Sequence, residues 1–286
     1  MARQYIRKYE LTISPVDADS RIIKDLRVSF EVTKSTLSWP NLCRISIFNP
    51  NQDTISAIES KYTRITLNAG YEGSMGLIFK GEIRNGFISK TKTDKIITLY
   101  AGDGEKDWQN SVFNKTYSES VSMRKVIADV IATFKNTSQG ALEGLPETAD
   151  KLLGQTISGS SKDVLDGFAK EYGFTWSIQD GELVTTPLEE PLQGDEAVVL
   201  NAKTGMINSP TITEMGVDVT CLLNPKLLPN RAVKIESLGS DVSIGNLHFY
   251  KVKATSGEGT YKIEEVTFSG DSREGDWLSS IKARRI

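Results

Sequence analysis

The chain has 286 residues, which is enough for two or three domains with a hydrophobic core. Hydrophobic residues make up 38% and charged residues 25%, and 34 basic side chains are balanced by 37 acidic ones, so the basic excess of a nucleic-acid binder is absent. No apolar run approaches the roughly 20 residues of a membrane helix and the N-terminus has no signal-peptide core, so we expect a protein without a membrane-spanning segment that stays in a cytoplasm-like compartment.

Alternating apolar and polar residues predict strands in the first third of the chain. Leu26, Val28, Phe30 and Val32 fall on one side of an extended segment, and the residues between them are polar or charged. This period of two is the pattern of a half-buried strand. A short helix is predicted around Ile55. The alternation recurs in five further segments, at 9–13, 43–47, 65–67, 77–79 and 97–99.

Three glycines, Gly70, Gly73 and Gly76, stand between two of these strands. Such a cluster can be a phosphate-binding loop or the bend of a hairpin. The spacing G-x-x-G-x-x-G is neither the dinucleotide pattern nor the P-loop, and a phosphate loop must open a helix so that free amides face the ligand. Residues 77–83 continue as a strand, so the glycines are predicted to be hairpin and bulge residues.

Helical spacing appears in the middle of the chain. Apolar residues at 121, 126, 127, 130, 131 and 134 predict one helix, with Ser120 or Ser122 as its N-cap. A second helix is predicted to start after Ser160 and to end at Gly173, because glycine readily adopts the left-handed conformation that terminates helices.

A hairpin with its bend at Asp180-Gly181 is predicted to follow the second helix. Residues 136–155 have weak periodicity and are predicted to be a loop. The region from Trp108 to Pro191 is therefore predicted to be a small α+β module between two β-rich ends.

Strands return near the C-terminus, at 217–223, 233–235, 250–254 and 266–268. The two β-rich ends share an Asn-Pro pair after one strand, an arginine at the start of the next, and a Gly-Asp pair after the last. We interpret this as an internal duplication. The alternative is chance, because proline ends strands and Gly-Asp turns chains in any sheet. The matching pairs are Asn49-Pro50 with Asn224-Pro225, Arg64 with Arg231, and Gly102-Asp103 with Gly270-Asp271.

Few residues are candidates for catalysis. The single histidine, His248, begins an alternating strand and has no second metal ligand beside it, so a structural role is predicted. Glu264 and Glu265 are adjacent on a strand and are predicted to point to opposite faces, which a pair of catalytic carboxylates cannot do. No catalytic residue is therefore predicted.

Binding-site candidates are equally few. Asp103, Glu105 and Asp107 could hold a hard cation if the chain is extended there, but a solvated acidic turn is the favoured interpretation. Cys43 and Cys221 lie in alternating apolar runs and are predicted to be buried reduced thiols, with a disulfide as the less favoured alternative. No metal-binding or cofactor-binding residue and no cofactor is predicted. The scattered tryptophans are predicted to fill cores or interfaces: Trp39, Trp108, Trp176 and Trp277.

Several of these runs resemble the baseplate hub proteins of long-tailed bacteriophages, a tail tube-like and VgrG-like family. The resemblance covers most of the chain, and Phe79-x-Gly81-x-Ile83 is its most specific part. The helical middle is its least specific part. The runs that carry it are 46–50, 65–71, 76–83 and 99–104 for the first barrel of such hubs, and 209–225, 270–271 and Trp277 for the closing barrel.

The resemblance implies a mainly β fold with three domains. Residues 1–107 and 192–286 are expected to be tail-tube-like antiparallel β-barrels that flank the α+β module at 108–191. It also implies a structural virion protein without enzymatic activity. No segment is left over for the lysozyme or peptidase domain that some hubs carry.

The implied partners follow from the place of such hubs in the tail. The hub is expected to be a homotrimer in the virion baseplate, assembled in the host cytoplasm, that joins the sixfold tail tube or distal-tail proteins to the threefold central spike. Other baseplate proteins, including the tape measure protein, are further expected partners, and DNA is expected to pass through the lumen without specific binding. The alternatives are a peptidoglycan-degrading tail hydrolase and a monomeric receptor-binding or sugar-binding β module.

The alternation generates a first prediction. Phe79→Asp or Val219→Asp should prevent folding, because an unpaired buried charge costs several kcal/mol. Expression of soluble protein and light scattering provide the measurement. Soluble, trimeric variants would show that the faces of these strands are reversed.

Overall fold

A computed structural model describes residues 5–14, 20–59, 64–91, 93–147, 151–152, 154–194, 196–213, 216–237, 241–242 and 257–286. This part of the chain is mainly β, with four helices. None of these helices has the length and apolar character of a membrane span. The predicted strand at 250–254 and His248 lie outside the described residues.

The strands and helices follow one another along the chain as the alternation and the helical spacing predict for most segments. The strands are β1 (Arg7–Ser14), β2 (Arg21–Ile23), β3 (Val28–Ser35), β4 (Leu42–Phe48), β5 (Arg64–Tyr71), β6 (Gly76–Lys90), β7 (Lys95–Gly102), β8 (Val112–Tyr117), β9 (Val121–Ser122), β10 (Ser138–Leu142), β11 (Lys151–Leu152), β12 (Gln155–Ser160), β13 (Phe174–Gln179), β14 (Glu182–Pro187), β15 (Val198–Leu200), β16 (Thr211–Ile212), β17 (Gly216–Leu222), β18 (Ala232–Ile235), β19 (Asp241–Val242), β20 (Gly259–Asp271) and β21 (Trp277–Arg285). The helices are α1 (Gln52–Glu59), α2 (Glu105–Asn110), α3 (Met123–Ile131) and α4 (Ser161–Tyr172).

Backbone contacts divide the chain into two compact units. The first, here called the sheet unit, consists of Met1–Ser35, Leu42–Gly102 and Gln193–Ile286. The second, here called the insert unit, consists of Thr36–Asn41 and Asp103–Leu192. The two β-rich ends of the sequence therefore fall almost entirely within one unit.

One large sheet forms the sheet unit, in the order β19-β16-β17-β21-β20-β3-β4-β7-β6-β5-β1-β2, with β18 paired to β20 and β15 to β18. Its ladders are antiparallel except β15–β18 and β16–β19. Within the described residues the ladders do not close into a barrel, which departs from the two predicted barrels. The reason is that β3 already has a partner on each edge, β4 and β20, so neither edge remains to pair with β2.

Inward-facing apolar side chains form the core of the sheet unit, as the alternation predicts. Val28, Val32 and Ile65, for example, are fully buried. The prediction of which β6 side chains face the core is wrong at one point, because a β-bulge in the β5–β6 ladder shifts the register at Ile78. Ile78 and Phe79 are consequently both buried, whereas the predicted partner of Phe79, Leu77, is only half-buried.

The insert unit has its own core around α3, α4 and the β13–β14 hairpin. Ser122 caps α3, since its hydroxyl accepts a hydrogen bond from the Lys125 N–H (3.4 Å). Gly173 ends α4 with φ of 73°, and the hairpin bends through Asp180 and Gly181, both with positive φ. These helix ends and this hairpin confirm the sequence predictions.

The predicted loop at 136–155 is wrong in part, because β10 lies parallel to β14. The pairing is non-local and irregular, with a register shift between Gln139 and Leu142. Gly140 permits this close approach, since a Cβ there would lie 3.2 Å from the Leu183 carbonyl oxygen. The sequence did not predict this strand, because its residues, Ser, Gln, Gly, Ala and Leu, include none of the β-branched or aromatic types that are enriched in strands.

Asp129 on α3 ties the helix to β8. Its carboxylate accepts hydrogen bonds from Lys115 Nζ (2.6 Å), Lys125 Nζ (2.7 Å) and the Tyr117 hydroxyl (2.8 Å). Burial alone opposes ionisation of this group, but the three hydrogen bonds outweigh it and lower the pKa of Asp129 to about 2. Because the folded-state pKa lies below the ordinary value, the ionised carboxylate stabilises the folded state above about pH 4.

Asp129→Asn should lower the free energy of unfolding by about 2 kcal/mol at pH 7. The difference from the unsubstituted protein should shrink as the pH falls from about 4 to about 2, since Asp129 becomes protonated over that window. Urea unfolding at a series of pH values measures it, with exposed Glu119→Gln as the matched control. A difference that stays constant down to pH 2 would contradict the assignment.

Candidate assembly interface

The acidic residues after β7 have structural roles. Asp103 is fully buried, and its carboxylate accepts hydrogen bonds from the backbone N–H groups of Asp180 and Gly181, thereby holding the β13–β14 turn. Asp107 is buried and accepts from the Asn136 N–H (2.6 Å). The prediction of a solvated acidic turn is therefore wrong. Helix α2 forms here, and the carboxylates of Asp103 and Asp107 accept hydrogen bonds from backbone N–H groups that have no backbone acceptor.

Glu264 and Glu265 lie on one face of the sheet, not on opposite faces. Glu264 is the extra residue of a β-bulge in the β20–β21 ladder. Both carboxylates consequently meet cations two residues apart on β21: Glu264 forms an ion pair with Arg284 (2.6 Å) and Glu265 forms one with Lys282 (2.7 Å). Each carboxylate is neutralised by its own cation, an arrangement typical of a structural ion pair.

Other chemical candidates are also part of the packing. Cys43 and Cys221 are buried free thiols, as predicted; burial raises the pKa of both, that of Cys221 to about 12, so they are poor nucleophiles. Gly73, with φ of 81°, lies in the β5–β6 hairpin turn, which confirms the hairpin prediction. Within the described residues, no group of three or more His, Cys, Asp or Glu could hold a metal ion.

Two of the tryptophans are fully buried in a core, and a third, Trp108, is half-buried and packs against the core of the insert unit. Trp176 and Trp277 are each 2% exposed, as predicted for core residues. Trp39 is 66% exposed and packs on Trp108 with ring centroids 4.9 Å apart. No catalytic arrangement emerges from these side chains, so the informative geometry is that of the sheet.

The same strand order occurs twice in the sheet unit. In the first repeat the hydrogen-bonded order is β3-β4-β7-β6-β5-β1, and in the second it is β16-β17-β21-β20-β18-β15. Corresponding strands also follow the same order along the chain. Four of the five ladders are antiparallel in both repeats; the fifth is antiparallel for β5–β1 and parallel for β18–β15.

This order corrects part of the sequence alignment of the two ends. The Asn-Pro pairs do follow corresponding strands, β4 and β17. The Gly-Asp pairs do not, because Gly102 ends β7 whereas Gly270-Asp271 ends β20, whose counterpart is β6. Glycine and aspartate mark the end of a strand without identifying which strand ends.

The long strands β6 and β20 share a further feature. Each carries one β-bulge against its neighbour, at Arg84 in the β6–β7 ladder and at Glu264 in the β20–β21 ladder. With the bulges aligned, residues 85–90 of β6 correspond to 265–270 of β20. The two segments differ in one respect: 265–271 is also paired on its other edge, with β3.

The β3–β20 ladder joins the two repeats into one sheet. It pairs Ser29 through Ser35 with Asp271 through Glu265, and the Thr33 and Thr267 hydroxyls are 3.4 Å apart across it. At one end, Arg27 donates two hydrogen bonds to the Asp271 carboxylate (2.9 and 3.0 Å). This junction is therefore an interface between repeats that happens to lie within one chain.

Trp277 is the central side chain of the junction. Its ring meets Phe30 edge-on with centroids 5.1 Å apart, and its indole N–H donates to the Gly70 carbonyl (3.0 Å). Gly270 makes room for both rings, because a Cβ there would lie 2.5 Å from the Trp277 ring and 2.7 Å from Phe30. Arg7 lies over the other part of the ring, 5.7 Å from its centroid.

Comparison with solved structures finds the same fold in phage tail proteins. A 43 kDa tail protein of prophage MuSo2 from Shewanella oneidensis superposes with a TM-score of 0.62 at 11% identity, covering 96% of each chain. A tail protein from Neisseria meningitidis gives 0.63 at 9% identity, covering 97% of this chain and 96% of that one. An E. coli component of the type VI secretion system, described as similar to T4 tail proteins gp27 and gp5, gives 0.62 at 10%, covering 96% and 76%.

At these identities the structural likeness shows a shared fold alone. A search among curated proteins gives no match. The sequence model of a family described as "Baseplate hub gp41" matches residues 10–245, which is most of the chain.

Trp277→Phe should lower the free energy of unfolding by about 1–3 kcal/mol, because the Gly70 carbonyl loses its buried donor. Trp39→Phe, at an exposed ring, should change it by less than about 0.5 kcal/mol. Urea denaturation of both variants measures the difference. Equal effects at the two positions would show that Trp277 does not hold the junction.

Proposed function

The chain belongs to the baseplate hub gp41 family, and we propose on this basis that three copies form the adaptor between a sixfold tail tube and a threefold central spike. The repeat of strand order supports this proposal. A threefold assembly can meet a sixfold ring without mismatch only if each subunit presents two near-equivalent surfaces. Three chains with two repeats each present six.

Each part of the chain has a role in this proposal. The β-rich regions 1–107 and 192–286 supply the two tube-like repeats, which a common ancestral duplication explains. The α+β region 108–191 widens the hub or faces the spike. The tail tube or distal-tail proteins, the spike and further baseplate proteins, including the tape measure protein, are the proposed partners in the virion, after assembly in the host cytoplasm.

The outward face of the large sheet suits a wall along which DNA passes. Hydroxyl pairs cross the sheet on this face: Ser46 with Thr98 (3.1 Å) and Thr220 with Ser280 (3.1 Å). A charge on the same face is compensated, since Lys282 bonds Glu265. Uncompensated lysines and arginines would bind phosphates; exposed Arg44 on this face lies opposite Glu31, and a wall of hydroxyls and paired charges lets a polyanion slide during ejection.

Light scattering of the purified protein should give a mass of three times 31.5 kDa at sufficient concentration. Electron microscopy of the protein mixed with its tube subunit should show one hub at one end of a sixfold tube. A muralytic zymogram serves as the counter-test, because a hydrolase would clear peptidoglycan and a hub would not. A stable monomer that never binds the tube subunit would contradict the adaptor.

A further inference from the structure

The second half of β6 is an exposed strand edge. Residues 85–90 are all exposed, whereas their counterparts 265–270 on β20 are buried or half-buried. The β5–β6 ladder stops at Glu82, and among the described residues no strand pairs with the same edge of 85–90. On β20 the corresponding edge is the one that β3 covers.

Two large apolar side chains on this edge, Phe87 and Ile88, are exposed to solvent. Ile88 is 48% exposed, but its counterpart Phe268, which lies opposite Val32 in the β3–β20 ladder, is fully buried. Phe87 is 58% exposed and packs edge-on against Tyr100, itself 40% exposed, with centroids 5.9 Å apart. Natural proteins normally protect such edges, because unpaired backbone groups beside apolar side chains recruit further strands.

We infer that this edge binds a second copy of the same chain, through the strand that corresponds to β3. That strand is β16, which pairs with β17 as β3 pairs with β4. A bridge between Met206 and Cys221 continues this antiparallel contact toward the other end of β17, with the register shifted by two residues. The contact between copies is then the counterpart of the β3–β20 junction within the chain.

The internal junction also fixes the register of the proposed contact. Within the chain Phe268 lies opposite Val32, and Ser269 lies opposite Glu31. When the bulges are aligned, Ile88 and Ser89 of β6 correspond to Phe268 and Ser269 of β20. When the β3–β4 and β16–β17 ladders are aligned, Ile212 and Thr211 correspond to Val32 and Glu31. The proposed contact therefore places Ile88 opposite Ile212 of the second copy, and Ser89 opposite its Thr211. In the single chain this edge of β16 pairs with β19 over two residues, and the incoming β6 takes the place of β19.

Such a contact is head-to-tail, since the β6 edge of one copy meets the β16 edge of the next. Head-to-tail contacts build a ring if the rotation closes and a filament if it does not. The inference depends on the proposed function only for the number of copies, three. The edge and its register come from the comparison of the two repeats.

Engineered disulfides test the register directly. The double variant Ser89→Cys, Thr211→Cys should form intermolecular disulfides under mild oxidation, visible as covalent dimers and trimers on a non-reducing gel, because directly opposed residues of antiparallel strands bring Cβ atoms within reach. The matched control is Ser89→Cys with Ser280→Cys, since Ser280 lies inside the sheet, paired with Thr220 and Thr267. Cross-linking no stronger than in this control would overturn the inference.

A charge substitution tests the edge without any cross-link. Ile88→Lys should raise the dissociation constant of self-association about tenfold or more, because the ammonium would be buried without a partner. Val112→Lys, at a side chain 67% exposed in the insert unit, should leave association unchanged. Concentration-dependent light scattering measures both, and circular dichroism confirms that both variants fold.

The outcomes separate the inference from the proposed function. Trimers that survive Ile88→Lys and fail to cross-link would refute the edge and leave the trimeric adaptor standing. Specific cross-linking in assemblies of another size would support the edge and refute the trimer. A chain that stays monomeric and uncross-linked at all accessible concentrations would refute both.

Discussion

The ladder between β3 and β20 is the contact on which the rest of the sheet unit depends. A strand has two edges; one edge of β3 pairs with β4 of its own repeat, and the other pairs with β20 of the second repeat. As a result the first repeat does not close on itself within the described residues, both repeats share one sheet, and Trp277 is buried against Phe30 at the point where they meet. Two repeats joined in a line necessarily leave one equivalent edge uncovered, and that edge is the second half of β6.

Local periodicity predicted most of the fold, because an inward side chain in a half-buried strand must be apolar wherever the strand lies. Val28, Val32 and Cys43 illustrate this. Bulges are what periodicity cannot show: one added residue reverses the faces beyond it without altering composition. The errors at Leu77 and at Glu264 both arise from such a residue.

The candidate interface could not be predicted from the sequence, because it depends on which strand edges are occupied. Edge occupancy is a non-local property: Asp271 and Arg27, which seal the internal junction, are 244 residues apart. The sequence does contain a weak signal in the adjacent apolar pair Phe87-Ile88, which breaks the alternation expected of a strand with one solvated face. The strand-order repeat was likewise only partly visible, since Gly-Asp pairs mark the ends of strands that do not correspond.

The separation of β3 and β20 along the chain has a consequence for synthesis on the ribosome. The apolar strand β3 is translated well before its second partner, so β3 must wait with one edge open while the insert unit and most of the sheet are made. Non-local pairing of this kind slows folding and leaves nascent chains prone to aggregation. Overproduction of this protein should therefore benefit from slow translation or from chaperones that shield nascent β-strands, and a circular permutant that begins at β20, with the order β20-β21-β1-β2-β3, would shorten the delay.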